Sequence, residues 1–142
     1  MTVFTGPEIA YLSGGRGERR LARVATVGPD GDIHVTPVGW SLADGDTVVE
    51  ISGHDFSRTK KFRDVQRTGR ASMVVDDVLP PWHPRGVEVR GDAEAVEGEN
   101  PRIRIRPRRV VSWGLEENGE PVPRSARTIA ENIAPDSSPP SL

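Results

Sequence analysis

The segment Ser57 to Lys61 combines two hydroxyl side chains with three cations at the predicted start of a helix. Phe62 and Val65 follow three residues apart and give that helix an apolar face. The amino end of a helix carries a partial positive charge, so cations there are unfavourable unless an anion binds and reverses the sign. The segment therefore predicts an anion-binding site, with a solvated basic surface as the alternative. The candidate residues are Ser57, Arg58, Thr59, Lys60 and Lys61.

A second basic stretch, from Arg102 to Arg109, alternates arginine with isoleucine before Pro107. This alternation places its first arginines on one face of a strand. One interpretation is an exposed sheet face whose arginines pair with Glu88 and Glu94. The others are a nucleic-acid contact or a site for an anionic cofactor tail.

Other kinds of catalytic or metal site are disfavoured. The three histidines show no ligand spacing, and the absence of cysteine removes thiolate catalysis and cysteine-bound metals. Asp76 and Asp77 are adjacent in a predicted strand, so they face opposite ways and do not act as a pair. Phosphate-binding glycine motifs and the GxSxG nucleophile motif are also missing.

Composition is that of an ordinary globular protein, with 35% hydrophobic and 28% charged residues. The formal net charge of -2 is concentrated in an acidic carboxyl-terminal part, so general nucleic-acid binding is not expected. We find no membrane-spanning apolar run and no secretory signal. Together with the lack of cysteine, this predicts a cytoplasmic protein that binds neither nucleic acid nor membrane.

The pattern of strands and turns predicts a mainly β fold. Gly and Pro total 28 residues, and short β-branched runs lie between turn signals. We expect six strands, an inserted helix within 54–67, and a short helix from Thr5 to Leu12 that Thr5 caps. A sheet this short avoids exposed edges best by closing into a barrel. The predicted strands are Leu21–Val27, Ile33–Trp40, Thr47–Ile51, Ser72–Asp76, Val87–Val96, and a last one from Ile103 to Trp113 interrupted at Pro107.

Two further features bear on the site and on the domain boundary. Pro37 lies inside the second strand, which indicates an edge, a bulge or a barrel corner. After Leu115 the chain becomes rich in Pro, Ser and Glu. We therefore expect a barrel domain over 1–115 and a poorly ordered tail over 116–142, with a short helix possible around Ser125 to Asn132.

Taken in order, these blocks resemble the split β-barrel proteins of the pyridoxamine-phosphate-oxidase-like family. The resemblance covers about residues 3–115. It rests on RVATV from Arg23, HVTPVG from His34, TKKFRDV from Thr59, and RASMVVDD from Arg70. The blocks PPWHPRGVEVRG and RVVSWGL are similar to the actinobacterial branch that uses the deazaflavin coenzyme F420.

The resemblance implies a homodimer whose cofactor lies in a groove between two six-stranded barrels. Lys61 corresponds to the phosphate-binding lysine, supported by the cations and hydroxyls before it. Asp64 stands where relatives often have Asn, at a ribityl or phosphate contact. The strand that lines the cofactor ring corresponds to His34, Val35, Thr36 and Pro37.

The function implied is an F420-dependent oxidoreductase that transfers a hydride to a small organic substrate, with no acid or base residue assigned. An FMN-dependent oxidase is the alternative enzyme. A non-catalytic flavin, deazaflavin or haem binder is the alternative of another class.

Overall fold

The computed structural model describes residues 3–14 and 20–130 and contains two α-helices and nine strands in these ranges. A single 3-10 turn, Phe56–Arg58, precedes the second helix. The elements are α1 (Gly6–Leu12), β1 (Ala22–Val27), β2 (Ile33–Ala43), β3 (Val48–Ser52), α2 (Lys60–Thr68), β4 (Arg70–Leu79), β5 (His83–Val96), β6 (Arg102–Trp113), β7 (Glu116–Glu117), β8 (Glu120–Pro121) and β9 (Ser125–Thr128).

The first six strands form a closed antiparallel barrel, as the sequence predicted. Their order is β3-β2-β1-β4-β5-β6, and pairing of β3 with β6 closes the circle. Inward-facing apolar side chains of these strands fill the barrel, and α2 packs its Phe62 and Val65 onto the same core. Among the described residues, no helix has the length and apolar character needed to cross a membrane.

Pro107 does not end the strand, because β6 runs unbroken from Arg102 to Trp113. The predicted irregularity is a shift of register at this position: Gly91 pairs with Pro107 and Arg90 with Arg109, which leaves Arg108 as an extra residue in β6. A Cβ atom on Gly91 would lie 2.1 Å from the Arg106 carbonyl oxygen, so only glycine allows the two backbones to approach this closely. The bulge keeps both strands in the barrel while it bends them.

The predicted domain boundary at residue 115 needs correction for the residues up to 130, which the structure describes. Residues 125–128 form strand β9, which pairs with β6, and not the helix suggested by sequence; Asn132 lies outside the described residues. Ile129 is buried in the core. The acidic, proline-rich composition led us to expect a poorly ordered segment. The short strand is held in place by a buried ion pair, which composition does not reveal.

That ion pair joins the two ends of the described chain. Glu8 of α1 is fully buried, and its carboxylate accepts hydrogen bonds from Arg127 at 2.6 and 2.9 Å and from Ser112 at 2.6 Å. The Thr5 backbone N–H completes the shell as part of the predicted helix cap. Burial alone would raise the pKa of Glu8, but the bonds from Arg127 and Ser112 outweigh it and lower the pKa.

We expect Glu8→Gln to lower the free energy of unfolding by about 3 kcal/mol at pH 7, because it leaves the Arg127 guanidinium without its counter-charge. Since the folded-state pKa is lowered, the carboxylate stabilises the fold above the unfolded pKa of about 4.3. This stabilisation is lost as the pH falls through the folded pKa. The difference between variant and native protein in urea unfolding should therefore shrink below about pH 4.

The exposed Glu116→Gln, which removes the same charge from the surface, is the control and should change the unfolding free energy little at either pH. A Glu8→Gln difference that stays constant from pH 7 to pH 3 would contradict the assigned ion pair.

Candidate functional site

The predicted anion segment forms the start of α2. The Thr59 hydroxyl accepts from the Phe62 backbone N–H at 3.3 Å and donates to the Phe56 carbonyl at 2.7 Å, so Thr59 is the helix cap. Gly69 ends the helix with φ at +68°. The free N–H groups of the first turn therefore lie beside the cations of the segment, as anion binding requires.

Phe62 and Val65 of α2 are buried, which fixes the rotation of the helix about its axis. In this rotation Asp64 points towards the end of the barrel. Its side chain is 2% exposed. The Thr26 hydroxyl of β1 donates to Asp64 Oδ2 at 2.9 Å. The Lys60 ammonium lies 3.5 Å and the Arg67 guanidinium 3.4 Å from Oδ1.

Asp64 is charged at neutral pH despite its burial. Desolvation would raise its pKa, but the hydrogen bond from Thr26 and the charges of Lys60 and Arg67 lower the pKa below its usual range. Arg67 also donates to the Val27 carbonyl, which fixes the carboxylate from the far side.

His34 and Lys60 both lie beside Gly28. A Cβ atom at Gly28 would lie 3.1 Å from Lys60 Nζ and 3.2 Å from His34 Nε2. His34 is directly opposite Thr26 in the β1–β2 register, so both side chains face α2. We call the group Thr26, His34, Lys60, Asp64 and Arg67 the polar cluster.

Strand geometry divides the predicted ring-lining residues between two faces. His34 and Thr36 share the face of the polar cluster, whereas Val35 and Pro37 alternate to the outer face. Val35 is 67% exposed there.

The outer residues of the anion segment are accessible but lie apart from the polar cluster. Ser57 is exposed, and Arg58 is exposed with a loose ion pair to Asp55 at 3.9 Å. The Lys61 ammonium lies 5.5 Å from the centre of the Phe56 ring. The structure thus joins Lys60, Asp64 and His34, while Ser57, Arg58 and Lys61 remain at the rim.

Two members of the polar cluster, Thr26 and Arg67, were missed by sequence reasoning. The inward face of β1 is otherwise apolar. The hydroxyl of Thr26 on that face was the signal that could have identified this residue. Arg67 stands near the end of α2 and gave no signal of its own, because its contacts with Asp64 and with the Val27 carbonyl of β1 depend on how the helix packs on the barrel.

The first half of β2 has an unpaired edge. Residues 33–38 pair with β1 on one side, and pairing with β3 begins only at Gly39. Pro37, which has no N–H group, lies in this half, so of the edge, bulge and barrel corner that the sequence left open, the structure shows an edge. Among the described strands this edge adjoins the polar cluster, and its free backbone groups can bind a planar polar ring.

The outer face beside this edge is apolar. Val27 pairs with Ile33, and Ala25 pairs with Val35, which together form one continuous patch. Ile33 is 75% exposed. The patch borders an open depression of about 620 Å³ that Arg70, Arg90 and Arg108 also line.

The basic stretch 102–109 forms ion pairs across the sheet. Arg102 binds Glu50 at 3.2 Å, and Arg104 binds both Glu50 and Asp44. The interpretation as a paired sheet face is confirmed for these two arginines, but the expected partners Glu88 and Glu94 were wrong. Both arginines are committed to the β3–β6 closure.

Tyr11, Asp77 and Arg85 form another charged cluster, which attaches the end of α1 to β4 and β5. Arg85 donates twice to Asp77, and the Tyr11 hydroxyl donates at 2.8 Å. The hydrogen bonds from Arg85 outweigh desolvation and lower the pKa of Asp77 to about 2, while burial raises the pKa of Tyr11. These groups bind each other, so we assign them a structural role.

A barrel with a cationic helix start beside an open strand edge defines a class of cofactor-binding barrels. The family model for pyridoxamine 5'-phosphate oxidase matches residues 14–132. The chain belongs to this family, and its activity class is that of an oxidoreductase.

Three known proteins illustrate the relationship. The chain is 39% identical over 124 residues to the 5a,11a-dehydrotetracycline/5a,11a-dehydrooxytetracycline reductase of Streptomyces rimosus, covering 80% of this chain and 84% of that protein. A conserved hypothetical protein of Mycobacterium tuberculosis superposes with a TM-score of 0.62 at 24% identity, covering 80% and 86% of the two chains. An F420 reductase superposes with a TM-score of 0.56 at 20% identity, covering 76% and 98%.

We expect Lys61→Ala to weaken binding of FMN, used as a phosphate-bearing probe, by about tenfold or more, because a charge-assisted bond to phosphate is lost. Folding should change little, because the contact that the structure shows for this ammonium is with the face of the Phe56 ring, 5.5 Å from the ring centre. Fluorescence titration and urea unfolding measure the two effects.

Arg63→Ala is the matched control, because Arg63 is an exposed cation of the same helix. Equal affinity of Lys61→Ala and the native protein for FMN would show that the phosphate assignment to Lys61 is wrong.

Proposed function

We propose that this protein is a reductase that transfers a hydride from reduced coenzyme F420 to a small organic substrate. The observation that carries the proposal is the 39% identity, over most of both chains, to a reductase of dehydrotetracyclines. By its name, that relative reduces a dehydro compound, so we propose a carbon–carbon double bond as the acceptor.

The residues of the site fit such a cofactor. A deazaflavin coenzyme carries anionic phosphate and carboxylate groups, and the start of α2 offers Lys60, Lys61, the Thr59 hydroxyl and free N–H groups. Ser57 and Arg58 at the rim are accessible to the same anion. The unpaired edge of β2, from His34 to Pro37, offers backbone groups to the ring.

The protein's part in the reaction is binding, orientation and exclusion of water. Reduced F420 supplies the hydride when bound, and a proton from solvent completes the reduction. The cations at α2 would hold the charged part of the cofactor, and the edge of β2 would hold the ring. Once a second copy covers them, the apolar residues Val35 and Ile33 beside that edge would exclude water from the hydride donor.

The apolar patch of Ala25, Val27, Ile33 and Val35 supports a homodimer. A continuous exposed patch on a strand face is typical of a protein interface. A second copy packed on this patch would cover the open edge of β2 and create a groove for ring and substrate between the two barrels.

Titration of the purified protein with F420 and with FMN, followed by fluorescence, tests the cofactor. We expect F420 to bind at least about tenfold more tightly than FMN, equivalent to about 1.4 kcal/mol. Reduced F420 should then be oxidised in the presence of a cyclic enone, at a rate proportional to enzyme concentration.

Each other outcome points to one alternative. Tighter binding of FMN with oxidase activity supports the FMN enzyme. Cofactor binding without turnover of enone, quinone or tetrapyrrole supports a carrier. Salt-sensitive DNA binding without either cofactor would reject both enzyme functions.

We expect Ile33→Glu to dissociate the homodimer, because it places a charge within the apolar patch. Sedimentation equilibrium of the native protein should give twice the mass of 15.5 kDa, and the variant should give the monomer mass. Ser41→Glu, exposed further along the same strand, is the control and should stay dimeric. A monomeric native protein would rule out this part of the proposal.

A further inference from the structure

Asp64 places a buried negative charge next to the cations that would bind the cofactor phosphate. Its Oδ1 atom lies 3.5 Å from Lys60 Nζ. An anion that hydrogen-bonds to Lys60 at about 3 Å therefore lies within about 6.5 Å of this carboxylate. The carboxylate repels any such anion, and the repulsion grows with the charge of the anion.

This negative charge is fixed in place. Thr26 holds Oδ2 at 2.9 Å, while Lys60 and Arg67 hold Oδ1, so the carboxylate does not turn away from an incoming ligand. These contacts keep the pKa of Asp64 below its usual range, and the group is ionised at neutral pH. The charges of Lys60 and Arg67, which lie nearest to Asp64, are thereby partly neutralised.

We propose that Asp64 is a specificity-determining residue that shifts the preference of the site away from a phosphomonoester and towards a phosphodiester. A phosphomonoester carries a charge of about -1.5 to -2 at pH 7, while a diester carries one negative charge. The additional charge of the monoester meets the repulsion of Asp64, which Lys60 and Arg67 only partly offset. This inference rests on the proposed function, because it concerns the phosphate of the proposed cofactor.

The expected size of the effect follows from the distance. One additional unit of charge at about 6.5 Å from a carboxylate, in a partly solvated site, changes binding on the order of tenfold. A residue with a merely structural role would weaken both ligands equally when replaced, and the ratio of their affinities would stay constant.

The test compares FMN with its monomethyl phosphodiester, which share ring and ribityl chain and differ in phosphate charge. The ratio of the two dissociation constants is first measured for the native protein at pH 7.5. In Asp64→Asn the ratio of the two dissociation constants should shift about tenfold in favour of FMN. Asparagine keeps an acceptor for Thr26 while it removes the charge.

Asp55→Asn is the matched control, because Asp55 is an exposed carboxylate whose φ of 52° asparagine also tolerates. Its ratio should equal that of the native protein. An unchanged ratio in Asp64→Asn would overturn the inference. If this variant fails to fold, Asp64→Ser, which also removes the charge, replaces it, and an unchanged ratio overturns the inference.

The two proposals fail in different ways. Both flavin ligands probe the phosphate site without F420. A ratio of affinities that asparagine shifts towards FMN would leave the role of Asp64 standing even if F420 failed to bind. If F420 binds and is turned over but the ratio of the two dissociation constants is unchanged, the proposed function stands and the inference about Asp64 fails.

Discussion

The closure of the barrel between β3 and β6 is the constraint on which the site depends. β3 has five residues and is paired on both sides, whereas β2 has eleven. Because the closing strand is short, β2 extends beyond it and leaves residues 33–38 with a free edge. The same closure sends the chain from β3 into α2, which brings the cations of that helix beside the free edge. The ion pairs of Arg102 and Arg104 with Glu50 stabilise this arrangement.

The buried carboxylate of Asp64 organises the other half of the site. A charge removed from water must be compensated, and here Thr26, Lys60 and Arg67 provide the compensation from β1 and α2. The result is a rigid connection between the barrel and the helix. Lys60 is joined to β1 by this network, so the cations at the start of α2 keep a constant position relative to the free edge of β2.

The carboxyl-terminal segment shows how one interaction outweighs composition. Residues 116–130 carry few large apolar side chains and several acids, which is typical of weakly ordered chain. Glu8, fully buried in α1, needs a cation, and Arg127 supplies it from β9. The strand is thereby held against β6, and both ends of the described chain depend on a single buried charge pair.

The sequence by itself determined the six barrel strands, a helix start within Ser57 to Lys61 and the barrel class, because turn residues, alternation and capping are local signals. It also identified the cationic segment. Only the tertiary structure decided that Lys60 and His34 both lie beside Gly28, that Pro37 lies on a strand edge, that Val35 faces away, and that Arg104 is bound in ion pairs. These outcomes depend on strand register and on the rotation of α2, which are set by packing between residues far apart in the chain.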